Sequence, residues 1–286
     1  MSSADASRPQ PPTPKQVQKL RLLLSTLQDG TGQQAAGYQP GWRNFERSAA
    51  VAFGGEAKEN KFAFDVLVPY RNGAGVRYGI SCKMRGTLND TRKNNRVTLE
   101  LTNSAGDFWA ALEKASLSQD TYRSDPTMVG QIIVDVVNQR YTAVSTGNGG
   151  QIDLAHSFYF ALSWNKAGWF QLHQFSLALP DPQDLLWSFP QRKANKRDKG
   201  FTPGTSVMSR ALRGVDKDTG HTVLEWYGQS GGQLKYYPLT ITALWQSKEF
   251  RLEPLPQSGF EYGLSSKAAT YFPMLWTEAY QEDDTK

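Results

Sequence analysis

Residues 61–84 read KFAFDVLV (61–68), PYRNGAG (69–75) and VRYGISCKM (76–84), and this stretch decides the fold. Two apolar runs flank a glycine-rich turn signal, which predicts two neighbouring strands. Each run carries a charge in an unusual place. Asp65 interrupts the first, and Lys83 closes the second behind Ser81 and Cys82. A carboxylate among apolar neighbours is costly to bury unless it is paired or bound to a metal. Adjacent strands would set Asp65 beside Lys83. There the two can form a plain ion pair, or they can share a metal, a water and a scissile phosphate.

Outward from this pair, the pattern alternates helices and strands before turning strand-rich. Leucines at 20, 22, 23, 24 and 27 predict a helix over Gln16–Leu27, behind a Ser-, Pro- and Gln-rich segment expected to be a disordered tail (residues 1–13). Trp42, Phe45, Ala49 and Phe53 predict a second helix, ended by Gly54-Gly55. After residue 84 come a polar loop (86–96), a strand over 97–101 and a helix for which Ser104 is the expected N-cap. A further helix is expected from Pro126 to about Val144. Beyond it, FYFALSW and WFQLHQFSLAL read as one hairpin, and HTVLEWYG and QLKYYPLTITALW as another. The expected class is therefore α/β (α+β), with a core over 14–165 and a strand-rich region over 166–286.

Composition narrows the chemistry. The only cysteine is Cys82, so no internal disulfide and no Cys-rich zinc site can form. His156, His173 and His221 lie far apart and give no metalloprotease pattern. No run of about eighteen apolar residues predicts a membrane span, and the N-terminus has no signal-peptide pattern. A reducing, cytoplasmic setting is the expectation. The formal net charge of +5 favours a polyanionic partner without fixing one.

Asp65 on one strand and Ser81-Cys82-Lys83 on the next, after a helix bearing Phe45-Glu46 and before a strand and helix, resemble the PD-(D/E)xK nuclease superfamily, whose best-known members are restriction endonucleases. The likeness covers roughly residues 40–118. It implies a restriction-endonuclease-like core, a central mixed sheet flanked by helices, and a Mg2+-dependent cut in double-stranded DNA. Asp65 and the Cys82 backbone carbonyl would bind the metal, with Lys83 assisting the attacking water. The family usually has an acid where this chain has Ser81. A borrowed carboxylate would then complete the site: Glu100 in the VTLEL strand, or Glu46 on the helix, with Glu113 as a further candidate. Glu100 can equally be an outward strand residue, and Glu46 a helix-surface charge.

A type II restriction enzyme reading a palindromic site would act as a homodimer. Arg85, Arg92, Lys93 and Arg96 follow the active strand and are candidate phosphate contacts. Arg192, Lys193, Lys196 and Arg197 belong to a basic segment that can serve as an arm ordering on DNA or as a solvated linker. The 166–286 region would serve DNA recognition, dimerisation or both. Two other readings stand beside this one. The first is a repair, recombination or other defence nuclease of the same fold. The second is a DNA-binding protein with a degenerate core, in which Ser81 marks lost metal binding. Thiol catalysis by Cys82 is disfavoured, because no histidine is near it in sequence and its side chain alternates towards the core.

Overall fold

The structure is a computed structural model describing residues 8–29, 41–58, 63–70, 75–102, 104–194, 196, 202–255 and 264–280. In chain order, α1 (Pro14–Thr26), α2 (Trp42–Phe53), β1 (Glu56–Ala57), β2 (Val66–Pro69), β3 (Arg77–Arg85) and α3 (Leu88–Asn94) come first. Then follow β4 (Leu99–Thr102), α4 (Ala105–Lys114), α5 (Pro126–Thr142), β5 (Phe158–Trp164), β6 (Phe170–Ser176), β7 (Leu185–Ser188), β8 (Gln191–Lys193) and β9 (Ser206–Met208). The chain continues with β10 (Leu212–Asp216), β11 (Thr222–Tyr227), β12 (Gln233–Tyr236), β13 (Trp245–Gln246), α6 (Leu264–Tyr271) and α7 (Pro273–Tyr280). The fold is mixed α/β, with a central mixed sheet flanked by helices and a strand-rich region towards the C-terminus.

Two compact units share the chain. The first comprises 1–97, 142–177 and 239–286, and the second 98–141 and 178–238. The boundary expected at 165/166 instead falls inside the first unit, between the antiparallel partners β5 and β6. The reason is physical: that hairpin continues the sheet begun by β3, so its strands cannot be separated.

The first unit holds a six-stranded sheet in the order β1-β2-β3-β5-β6-β13, in which β3 and β5 are parallel. Its core packs Leu20, Leu23 and Leu24 of α1, Phe45 and Ala49 of α2, and Tyr271 and Trp276 of α6 and α7 with Ile80, Cys82 and Phe160 of the sheet. Capping fixes the helix ends. Thr13 and Gln16 exchange hydrogen bonds in a capping box that starts the helix at Pro14, two residues earlier than the leucine pattern implies. Gly54 closes α2 in the left-handed conformation (φ 71°), as the sequence predicts. The described part of the expected tail, residues 8–13, packs on the fold. Pro9 and Pro12 are buried, and the Gln10 carbonyl accepts a 3.0 Å hydrogen bond from Gln174 Nε2 of β6. Residues 1–7 lie outside the described residues.

The β3–β5 register is clamped where the crossover enters the sheet. Asp153 N–H donates to the Arg77 carbonyl (2.8 Å), and Gly79 N–H donates to Ser157 Oγ (2.8 Å). Tyr70 OH (3.0 Å) and His156 Nδ1 (2.8 Å) both meet Asp153 Oδ2.

In the second unit, β4-β12-β11-β10-β7 form a five-stranded antiparallel sheet. Its apolar face packs Trp226 against Phe108 and Tyr122 at ring separations of 5.8 and 6.0 Å. Gly130 of α5 admits the Trp187 ring, since a Cβ there would stand 2.2 Å from it. Ser104 sits at the start of α4 but makes no capping bond, contrary to the sequence expectation. Its hydroxyl is taken by Thr102 Oγ1 (2.9 Å) and Arg140 Nη1 (3.2 Å) instead.

Candidate active site

Asp65 immediately precedes β2, and its N–H donates to the Ile80 carbonyl of β3 (3.1 Å). The Val66–Ile80 pair sets the register, so Asp65 stands opposite Ser81. The expected strand over 61–68 is thus a strand from Val66. Residues 61 and 62 lie outside the described residues. Asp65 Oδ2 accepts from Cys82 N–H (2.7 Å) and Ser81 Oγ (3.4 Å), and pairs with Lys83 Nζ at 3.5 Å. All three contacts fall on Oδ2, so Oδ1 stands outside this network. The Lys83 side chain is 13% exposed and that of Asp65 29%, so the pair is largely shielded from solvent yet reachable.

Alternation along β3 sends Cys82 into the apolar core while Ser81 and Lys83 face the other way. Burial, followed by the Asp65 and Glu46 charges, pushes the Cys82 thiol well up. That is the opposite of an activated nucleophile. The Cys82 carbonyl points towards the same strand edge as its N–H, the edge occupied by the Asp65 carboxylate.

Glu46 completes the cluster from α2. Its pKa is pushed up to about 7, first by burial and then by the Asp65 carboxylate, against the opposing pull of Lys83, Arg43 and Arg47. The Asp65 carboxylate is therefore near enough to oppose the ionisation of Glu46, with Lys83, Arg43 and Arg47 acting the other way. A divalent cation held between the two carboxylates would relieve their mutual repulsion. The donor set fits magnesium: two carboxylates and a backbone carbonyl, all hard oxygens, with water and phosphate oxygens to fill the shell. Among the described residues no three His, Cys, Asp or Glu side chains form a metal-binding group.

Glu100 has a different setting. It lies on β4 in the second unit and accepts a hydrogen bond from Gln233 Nε2. It ends a row of alternating charge across four strands, Arg213–Glu225–Lys235–Glu100. Within that row Arg213 Nε donates to Glu225 (2.8 Å). Cross-strand pairing of this kind accounts for Glu100 without a metal. Glu113 lies near the end of α4, also in the second unit.

The basic candidates are placed as follows. Arg85 ends β3 opposite Ser163 of β5. The expected polar loop over 86–96 contains α3, whose buried face is Leu88 and Thr91. Arg92 grips Glu249 with two nitrogens, Nε at 2.8 Å, so its charge is already answered within the chain. Lys93 is exposed in the last turn of α3, and Arg96 is bridged to Leu239. The expected basic loop at 190–206 contains a β8–β9 hairpin, with Arg192 and Lys193 on β8 and Lys196 exposed beyond it. Arg197 lies outside the described residues.

No protein-family model, curated protein or solved structure matches the chain.

Proposed function

We propose that the chain is a magnesium-dependent, sequence-specific endonuclease of double-stranded DNA, acting in the cytoplasm and built on a PD-(D/E)xK-like core. The observation that carries this reading is the Asp65–Lys83 pair (3.5 Å) where the chain enters β2 beside β3, with Glu46 of α2 near enough to feel the Asp65 charge. Asp65 and Glu46, with the Cys82 carbonyl, would hold the cation. Glu46 rather than Glu100 supplies the carboxylate missing at Ser81. When bound, the metal neutralises developing phosphate charge and makes water nucleophilic at neutral pH. Lys83 presents an ammonium to the scissile phosphate and orients the attacking water. Ser81 and the Cys82 N–H hold Oδ2 of Asp65, which fixes the carboxylate for its ligand role.

The reading is tested by incubating the protein with long mixed-sequence DNA and magnesium, then sequencing the products. Discrete fragments sharing one end sequence are expected. A smear, nicks or structure-dependent cuts would move the assignment to a repair or other defence nuclease. Asp65→Ala and Lys83→Ala are each expected to lower cleavage at least 100-fold while duplex binding in calcium persists.

Ser81 supports the rival reading of a DNA-binding protein with a lapsed nuclease core. That reading gains if wild-type protein binds duplex but leaves it intact in both magnesium and manganese.

A further inference from the structure

Eight tryptophans occur in the chain, and Trp42 is the one left exposed, at 52% of its surface. An indole held in solvent on a regular helix keeps an aromatic face open to an outside partner. Its position is informative. Trp42 lies four residues before Glu46 on α2, one helical turn away and on the same face. Arg43 lies beside it, its guanidinium 5.0 Å from the Trp42 ring centroid, and is also exposed. Arg43 is close enough to Glu46 to act on its charge, so the exposed pair and the carboxylate cluster share one neighbourhood.

Resting on the nuclease reading, we infer that Trp42 stacks on a nucleobase next to the scissile phosphate, with Arg43 on the adjoining phosphate. The dimensions agree. One helical turn is about 5.4 Å, against about 3.4 Å of rise per nucleotide. A strand whose phosphate lies at Asp65, Lys83 and Glu46 would need to follow α2 for only one or two nucleotides to reach Trp42. The occupant is fixed by chemistry: a flat π-face for the indole and an anion for the guanidinium, both present in a polynucleotide strand. In a duplex, base faces are covered by their neighbours. Stacking on Trp42 therefore implies that the step beside the cut is opened when the protein binds.

The test uses a duplex carrying the mapped cut site with 2-aminopurine at each flanking step in turn, bound in calcium so that no cleavage intervenes. Wild-type protein is expected to raise 2-aminopurine fluorescence at the base beside the cut that loses its stacking partner, while a 2-aminopurine seated on Trp42 itself stays quenched. Trp42→Ala should abolish that rise and weaken binding about tenfold, within the range for a lost base–aromatic stack. Trp42→Phe should retain part of both. Because Trp42 is more than half exposed, the melting temperature of Trp42→Ala should match wild type, which separates a lost contact from a lost fold. If the wild type cuts DNA while Trp42→Ala binds equally well and no step brightens, this inference falls and the nuclease reading stands. If the wild type neither binds nor cuts duplex DNA, both fall.

Discussion

Burial and the Asp65 carboxylate push the Glu46 pKa up to about 7, so this side chain titrates around neutral pH. Two consequences follow from this side chain. A group whose folded pKa is raised contributes stability that is full below its ordinary value of 4.5 and is lost as pH climbs through 7. The melting temperature of metal-free protein should therefore fall between pH 5 and 8. It should fall less in Glu46→Gln, which cannot ionise but would bind magnesium at least tenfold more weakly. Cation binding must also displace the Glu46 proton, so calorimetry at pH 6–7 in buffers of different ionisation enthalpy should reveal proton release on magnesium binding. The Gln variant should show less. Glu100→Ala should leave magnesium affinity unchanged. His173 works with the opposite sign. It is fully buried in β6 with no hydrogen bond to either ring nitrogen, and burial lowers its pKa to about 4. Its contribution to stability is present above pH 6.5 and lost as pH falls towards 4. His173→Phe, of similar size, should flatten that acid-side loss in thermal melts.

Among the elements, β3 is the most demanding. Gly79 lies against the Phe64 ring, and a Cβ there would come within 2.2 Å of ring carbons. Gly79→Ala should cost about 1–3 kcal/mol, seen in denaturant melts. Since Phe64 adjoins Asp65, cleavage should suffer more than stability explains. The strands around the site were legible in the sequence because their apolar runs are broken by single charges, and Asp65 and Lys83 stood out for that reason. α2 was legible from Phe45, Ala49 and Phe53, although nothing in its pattern told whether Glu46 faced solvent or the carboxylate opposite. α3 hid in a polar stretch because a helix of seven residues buries only Leu88 and Thr91. α6 and α7, eight residues each, are too short to show a period. β7 and β10 are four and five residues long, and Gly214 weakens the strand signal of the latter.

For the whole molecule, cutting both strands of a symmetric site calls for two copies of the chain, and light scattering on the protein–DNA complex should report a dimer. A monomer on a cognate duplex would refute it. The β8–β9 hairpin is the clearest basic projection. Replacing Arg192 and Lys193 by alanine should weaken duplex binding at low salt and flatten its salt dependence by roughly one unit of slope per lost phosphate contact. The division into units was not legible, because the boundary is not a place in the sequence. The chain leaves the sheet of the first unit twice, over 98–141 and 178–238, and returns each time. That arrangement has a temporal side. α1 packs against α6 and α7, which follow it by more than two hundred residues in the chain. At about 5–20 residues per second, α1 waits roughly 10–50 s on the ribosome for those partners. The unit bearing Asp65 and Lys83 therefore cannot close its core until α6 and α7 have been made.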